Sequence, residues 1–189
     1  ECNDPRRNDR PQRGHAQAGT CHESHRARLA NGTGHTASVV ACEDKQMRAI
    51  QISATGGPDV LTPADIDRPA IGPRDVLVRC SVAGVNYIDV YHREGRYPMG
   101  LPFVPGQEGA GVIEAVGDEV TEWSVGDRVC WAMVPGSYAE LVAVPSRLLA
   151  TIPDGISDQL AAAVMLQGMT AHYLVTSVYS VEEGTTAVV

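Results

Sequence analysis

Between residues 47 and 144 the chain is cut into short apolar runs, each closed by Gly, Pro or Asp. That spacing favours a small, partly open β-barrel or sandwich over any helical design. Met47 to Ser53 alternates like a half-buried strand, and Gly56-Gly57-Pro58 breaks it. Asp75 to Gly84 is a second strand, rich in β-branched residues. Residues 86–94 can form a helical turn ended by Gly95. Gly109 to Gly117, Asp127 to Val134 and Ser137 to Val144 supply three more strands.

Near residue 157 the texture changes. Ser157 can cap a helix running through Gln159 to Val164, and Thr170 to Val178 can form another. The chain closes on Thr185-Thr-Ala-Val-Val189, which reads as the opening of a buried parallel strand. A parallel strand needs a partner, so the expectation is that the sequence is cut within a further domain.

Residues 1–46 differ from everything that follows. They hold no Phe, Trp, Tyr, Ile or Met, and their larger aliphatics are Leu29, Val39 and Val40. Such a stretch buries too little apolar surface to offset the entropy of ordering it, so it reads as a poorly ordered leader or upstream sequence. It carries His15, His22, His25 and His35, but their spacing matches no zinc pattern. Scattered acidic residues and the lack of a helical apolar face argue against a mitochondrial targeting segment.

The net charge of -8 is unevenly placed: residues 1–46 sum to +1 and the remainder to -9. An acidic body repels phosphate backbones, which disfavours nucleic acid as a partner. No apolar run approaches the ~18 residues of a membrane span. The five cysteines include no C-x-x-C pair, and their number is odd, which suits a reducing, cytoplasmic compartment.

Four stretches carry a family resemblance. They are Ala83 to Tyr91 with Gly95-Arg-Tyr97-Pro98; Pro105-Gly-Gln-Glu-Gly-Ala-Gly-Val112; Val116 to Val120 followed by Val125 to Val129; and Leu166 to Tyr173. In this order they resemble the medium-chain dehydrogenase/reductase superfamily, specifically its quinone oxidoreductase, zeta-crystallin-like branch. The resemblance runs from Met47 to the last residue.

It implies a mainly β chain: a GroES-like, partly open β-barrel catalytic domain over 47–150 with flanking helices. Residues 151–189 would be the first helices and first strand of a truncated α/β Rossmann domain that binds NADPH. The glycine-rich loop that cradles the dinucleotide phosphates would follow residue 189, so the chain alone should not turn over. The intact protein would be a homodimer with a small-molecule quinone or enone substrate.

Zinc-dependent relatives place a Cys where this chain has Asn86 and a His where it has Gln107. Amides are poor zinc ligands, so no metal is expected. Without a Lewis acid, reduction of an already electrophilic acceptor is favoured over alcohol oxidation.

Asn86, Tyr91 and Tyr97 are the expected catalytic-site residues. Tyr87, Ile88, Asp89 and Tyr91 are expected beside the nicotinamide, with Gln167, Thr170 and Tyr173 on an inter-domain helix. Other roles stay open: Asp89 can brace backbone, Tyr97 can form a turn with Pro98, and Tyr173 can be core. Gln107 and Glu108 are expected to hydrogen-bond beneath the site, and Trp123 and Trp131 to pack. His172 reads as a structural residue on a packed helix. Two rival readings are an enoyl thioester reductase with Tyr97 as acid, and a non-catalytic, NADPH-binding crystallin-like protein.

Overall fold

The strand at the centre of the main sheet is also the richest in glycine. In the computed structural model, which describes residues 45–186 and 188, this strand spans Glu108–Val116. The seven strands in chain order are β1 (Gln46–Gln51), β2 (Thr62–Asp67), β3 (Asp75–Ala83), β4 (Glu108–Val116), β5 (Arg128–Ala132), β6 (Leu141–Pro145) and β7 (Leu149–Thr151). Five of them form one sheet in the order β6-β3-β4-β5-β7, with every neighbouring pair antiparallel. Strands β1 and β2 pair separately.

Two glycines let β4 sit this tightly. A Cβ at Gly109 would lie 2.5 Å from the Trp131 ring, and one at Gly111 would lie 2.0 Å from the Arg79 carbonyl oxygen. The register of β3 against β4 slips between Cys80 and Val82, beside that contact. The glycine thus makes room for an irregularity that lets the sheet bend.

The bend brings the small hairpin back onto the sheet. Ile50 donates its N–H to the Tyr138 carbonyl, Glu140 to that of Arg48, and Cys80 to that of Glu140. The run 138–140 therefore bridges β1 to β3, giving a barrel that is joined along one seam and open elsewhere. The expected strand over 137–144 divides at this point, with β6 proper starting at Leu141.

Strand β3 is covered on both faces. Val76 and Val78 enter a core with Ile113, Val129, Trp131, Val134, Val142 and Val144, and Trp123 packs against its edge. Leu77, pointing the other way, joins Met47 and Leu141. Both tryptophans are packing residues, as expected.

Two helices flank the barrel: α1 (Tyr87–Glu94) and α2 (Asp158–Tyr173). Ser157 caps α2, its hydroxyl accepting the Leu160 N–H at 3.2 Å. Asp158 accepts hydrogen bonds from the Ser81 hydroxyl (2.6 Å) and from Arg128 (2.5 Å), fastening the helix start to β3 and β5. These partners, Ser81 first, hold its carboxyl below the usual range. Ala161 and Ala162 then pack closely against Ala110, Cys130 and Ile152.

The structure corrects four expectations. The two separate helices over 159–164 and 170–178 are one, continued by a π-type turn at Leu174–Val178. Gly168 does not stop it, because a helical glycine costs only about 1 kcal/mol. The strand expected over 185–189 is not formed at Thr185, Thr186 or Val188, and Val188 is exposed. No strand among the described residues lies alongside to pair with it, and Ala187 and Val189 fall outside them. His172 and Tyr173 are exposed on α2, so neither is packed. Strands β2 and β7 were not foreseen: β2 carries Pro63 and acidic residues, tolerable on an edge, and β7 has only three residues. The leader expectation for residues 1–46, including its histidines and three cysteines, falls almost wholly outside the described residues.

Two predictions follow from this packing. Gly111→Ala should cost about 3 kcal/mol, because the clash is with backbone that cannot rotate away. Val112→Ala, on the partly exposed face of the same strand, should cost about 1 kcal/mol at most; similar losses in urea titrations would refute the close-approach account. The second concerns Cys80, whose thiol donates to the Val82 and Ser137 carbonyls and is pushed by burial from 9.0 up to about 11. Unfolded chains release this proton first, so stability should be intact below about pH 9 and fall as pH rises toward 11. Cys80→Ala should flatten that alkaline decline in melting temperature.

Candidate active site

The turn from β3 into α1 sets the geometry. Asn86 precedes the helix in extended conformation, and its N–H donates to Asp89 Oδ2 at 2.9 Å. This reach-back contact fixes the first turn. At the far end Gly95 adopts φ 77°, a left-handed conformation that glycine takes without strain. Arg96 and Tyr97 then donate their N–H groups to the Tyr91 carbonyl, folding the chain back on itself.

That return places three phenols in one band. Tyr87 and Tyr91, one helical turn apart, have ring centroids 6.1 Å apart. Tyr97 meets Tyr91 edge-on at 5.6 Å. The Arg96 guanidinium lies 5.4 Å from the Tyr91 ring centre, a cation–π contact. Tyr87 is 79% exposed and Tyr97 54%, so the band faces solvent.

The acids around the helix start are buried. Asp89 Oδ2 also accepts the Tyr138 hydroxyl at 3.0 Å. Burial, and then the Asp89 carboxylate, hold the Tyr138 phenol well above its ordinary range. Asp89 is therefore engaged below the helix, the bracing role left open above. Glu108 is fully buried at the start of β4. Its Oε1 accepts from Asn86 Nδ2 at 2.8 Å, and its Oε2 from the backbone N–H of Leu166 in α2 at 2.7 Å. Gln107 is buried next to it, its carbonyl accepting the Val134 N–H.

The structure gathers Tyr87, Tyr91 and Tyr97 on one surface, with Ile88 half-buried on the same helix and Asn86 at its start. Gln167 reaches Asn86 from α2, its Nε2 lying 3.4 Å from Asn86 Oδ1. Thr170 and Tyr173 lie further along α2. The Thr170 hydroxyl donates to the Leu166 carbonyl, and Tyr173 is exposed without a ring contact to α1 among the described residues. Sequence reasoning missed Tyr138 and Arg96. Tyr138 is distant in the chain from Asp89, and no local pattern links them. A hollow of about 650 Å³ among the described residues is lined by Lys45, Asp65, Asp67 and other residues of the β1–β2 hairpin and by Glu140, and by none of the candidate residues. Among the described residues no group of three or more His, Cys, Asp or Glu side chains is placed to hold a metal.

Residues 72–154 match the family described as alcohol dehydrogenase GroES-like domain. The chain is 48% identical over 141 residues to a quinone oxidoreductase of Pseudomonas aeruginosa, covering 74% of this chain and 43% of that protein. The solved quinone oxidoreductase of Pseudomonas syringae superposes with a TM-score of 0.71 at 46% identity, covering 73% of this chain and 43% of the other. That of Escherichia coli, complexed with NADPH, gives 0.70 at 33% identity, with coverages of 71% and 42%. The chain belongs to the medium-chain dehydrogenase/reductase superfamily, in its quinone oxidoreductase family.

It spans less than half the length of these family members. Residues 72–154 supply the GroES-like domain. No helix among the described residues is long and apolar enough to cross a membrane.

The Tyr138–Asp89 contact is testable. Tyr138→Phe should cost about 2 kcal/mol in urea denaturation, the usual value of a hydrogen bond to a buried carboxylate. A loss below about 0.5 kcal/mol would mean that Asp89 is satisfied without it.

Proposed function

We propose that the protein containing this chain transfers reducing equivalents from NADPH to a quinone or similar conjugated carbonyl, without a metal. In this reading residues 47–150 form the catalytic domain and 151–189 begin the NADPH-binding domain. The intact protein works as a homodimer in the cytoplasm.

One observation carries the reading. At the position where zinc enzymes gather thiolate and imidazole, the chain sets an amide, Asn86, hydrogen-bonded to a buried carboxylate, directly before a helix that carries an exposed band of phenols. Such a surface offers flat apolar faces and hydrogen-bond donors, which suit a planar conjugated acceptor. The names of the similar enzymes, and the NADPH in the Escherichia coli complex, support the same acceptor and donor.

The residues present fit the nicotinamide end of the cofactor. The Asn86 carbonyl oxygen, the exposed Gln167 amide and the Tyr87 phenol supply the acceptors and donors that a carboxamide needs. When bound, NADPH supplies a hydride. The chain's own part is to orient: Tyr91, held edge-on by Tyr97, lines the acceptor side, and the phenol hydroxyls can donate to the carbonyl as it gains charge. Much of the rate then comes from proximity and from excluding water.

The specific rival is reduction of an enoyl thioester with Tyr97 as the acid. It is favoured by the exposure of Tyr97 beside Tyr91, which leaves its hydroxyl accessible to an enolate. The complete protein should oxidise NADPH with 1,4-naphthoquinone, and Tyr97→Phe should lower kcat less than about tenfold. Inactivity with the quinone, together with enoyl thioester reduction that falls by orders of magnitude in Tyr97→Phe, would move the assignment to the rival. NADPH binding with turnover of neither substrate would leave the crystallin-like reading.

A further inference from the structure

Three stretches of chain that are remote in sequence meet at the Glu108 carboxylate. The β3–α1 turn arrives at Gly84, where a Cβ would lie 2.1 Å from Oε1, so only a residue without a side chain leaves the carboxylate its place. From the same turn Asn86 donates Nδ2 to Oε1, and from α2 the Leu166 N–H donates to Oε2. The Glu108 carbonyl in turn accepts the Gly84 N–H at 3.1 Å.

Both carboxylate oxygens face groups that can only donate. This decides the orientation of the Asn86 amide. Its NH2 must turn inward to Glu108, so its carbonyl oxygen turns outward, where Gln167 Nε2 lies at 3.4 Å. Rotating the amide by half a turn would set one carbonyl against the carboxylate and lose a hydrogen bond to a charged group.

We propose that Glu108 is a positioning residue: it fixes the Asn86 amide so that Oδ1 is the atom offered to a bound donor, and it ties that atom to α2. The donor that fits is a carboxamide N–H, as on the nicotinamide ring. The proposal rests on the reading of Asn86 as part of the NADPH site. It goes beyond that reading by assigning the orientation of Asn86, and the joining of helix to barrel, to one buried side chain.

The test is a substitution cycle in the complete protein, read by equilibrium NADPH binding alongside kcat, KM and melting temperature. Glu108→Gln keeps the shape but replaces one acceptor with an NH2, so the Asn86 amide has reason to flip. NADPH binding should weaken about tenfold, the effect of one misdirected hydrogen bond. Asn86→Asp alone sets two carboxylates face to face and should be worse. The double variant Asn86→Asp/Glu108→Gln lets the new glutamine donate to Asp at 86, whose other oxygen again points outward. It should recover binding to within about threefold of the unsubstituted protein.

A purely structural carboxylate would lower melting temperature in all three variants without this recovery. If the unsubstituted protein binds NADPH but Glu108→Gln binds equally well, or the double variant regains nothing, the positioning role is wrong. If the unsubstituted protein binds no NADPH, the functional reading fails, and this role fails with it.

Discussion

A carboxylate taken wholly out of water must find its hydrogen-bond donors in the protein, and Glu108 meets that demand by drawing the molecule together. Its donors come from the turn before α1 and from the middle of α2, so satisfying one side chain positions both helices against the sheet. The close approach depends on small residues. Gly84 leaves space at the turn, and Ala161 and Ala162 let α2 come down onto β4 and β5. Removing the charge would free these contacts; leaving it without donors would cost more than any of them contributes.

The same logic recurs one layer away. Asp89 is buried and takes donors from its own helix start and from Tyr138 on the bridging run that joins the hairpin to the barrel. Glu114, in β4, is held between Arg68 and Arg79. Acids along or beside β4 thus serve as junctions. Both oxygens of Glu108 and Asp89 Oδ2 are engaged in this way, whereas Asp89 Oδ1 is buried without a hydrogen-bond partner.

Local pattern made much of this legible. The alternation of apolar residues located β1, β3, β4 and β5, since a half-buried strand must alternate and a buried one must be apolar throughout. Ser157 and Gly95 marked helix ends because capping is chemistry between near neighbours. The amides at 86 and 107 could be read as poor metal ligands from residue type alone. Strand β2 escaped because an edge strand tolerates proline and charge, and α2 runs unbroken through 165–169, between the two helices expected over 159–164 and 170–178. The strand expected over 185–189 rested on composition without a neighbour to pair with.

What the amino-acid order determined by itself was therefore the elements, their ends and the kinds of groups available. These depend on interactions within a few residues. The tertiary structure decided which of those groups face solvent and which are used up in holding the fold. Glu108 was expected to hydrogen-bond beneath the site and Asp89 to lie beside the nicotinamide or brace backbone; only the fold supplies their partners, Asn86 and Leu166 for the one and Tyr138 for the other. Those partners lie far apart along the chain, and only the folded sheet brings them within hydrogen-bonding distance.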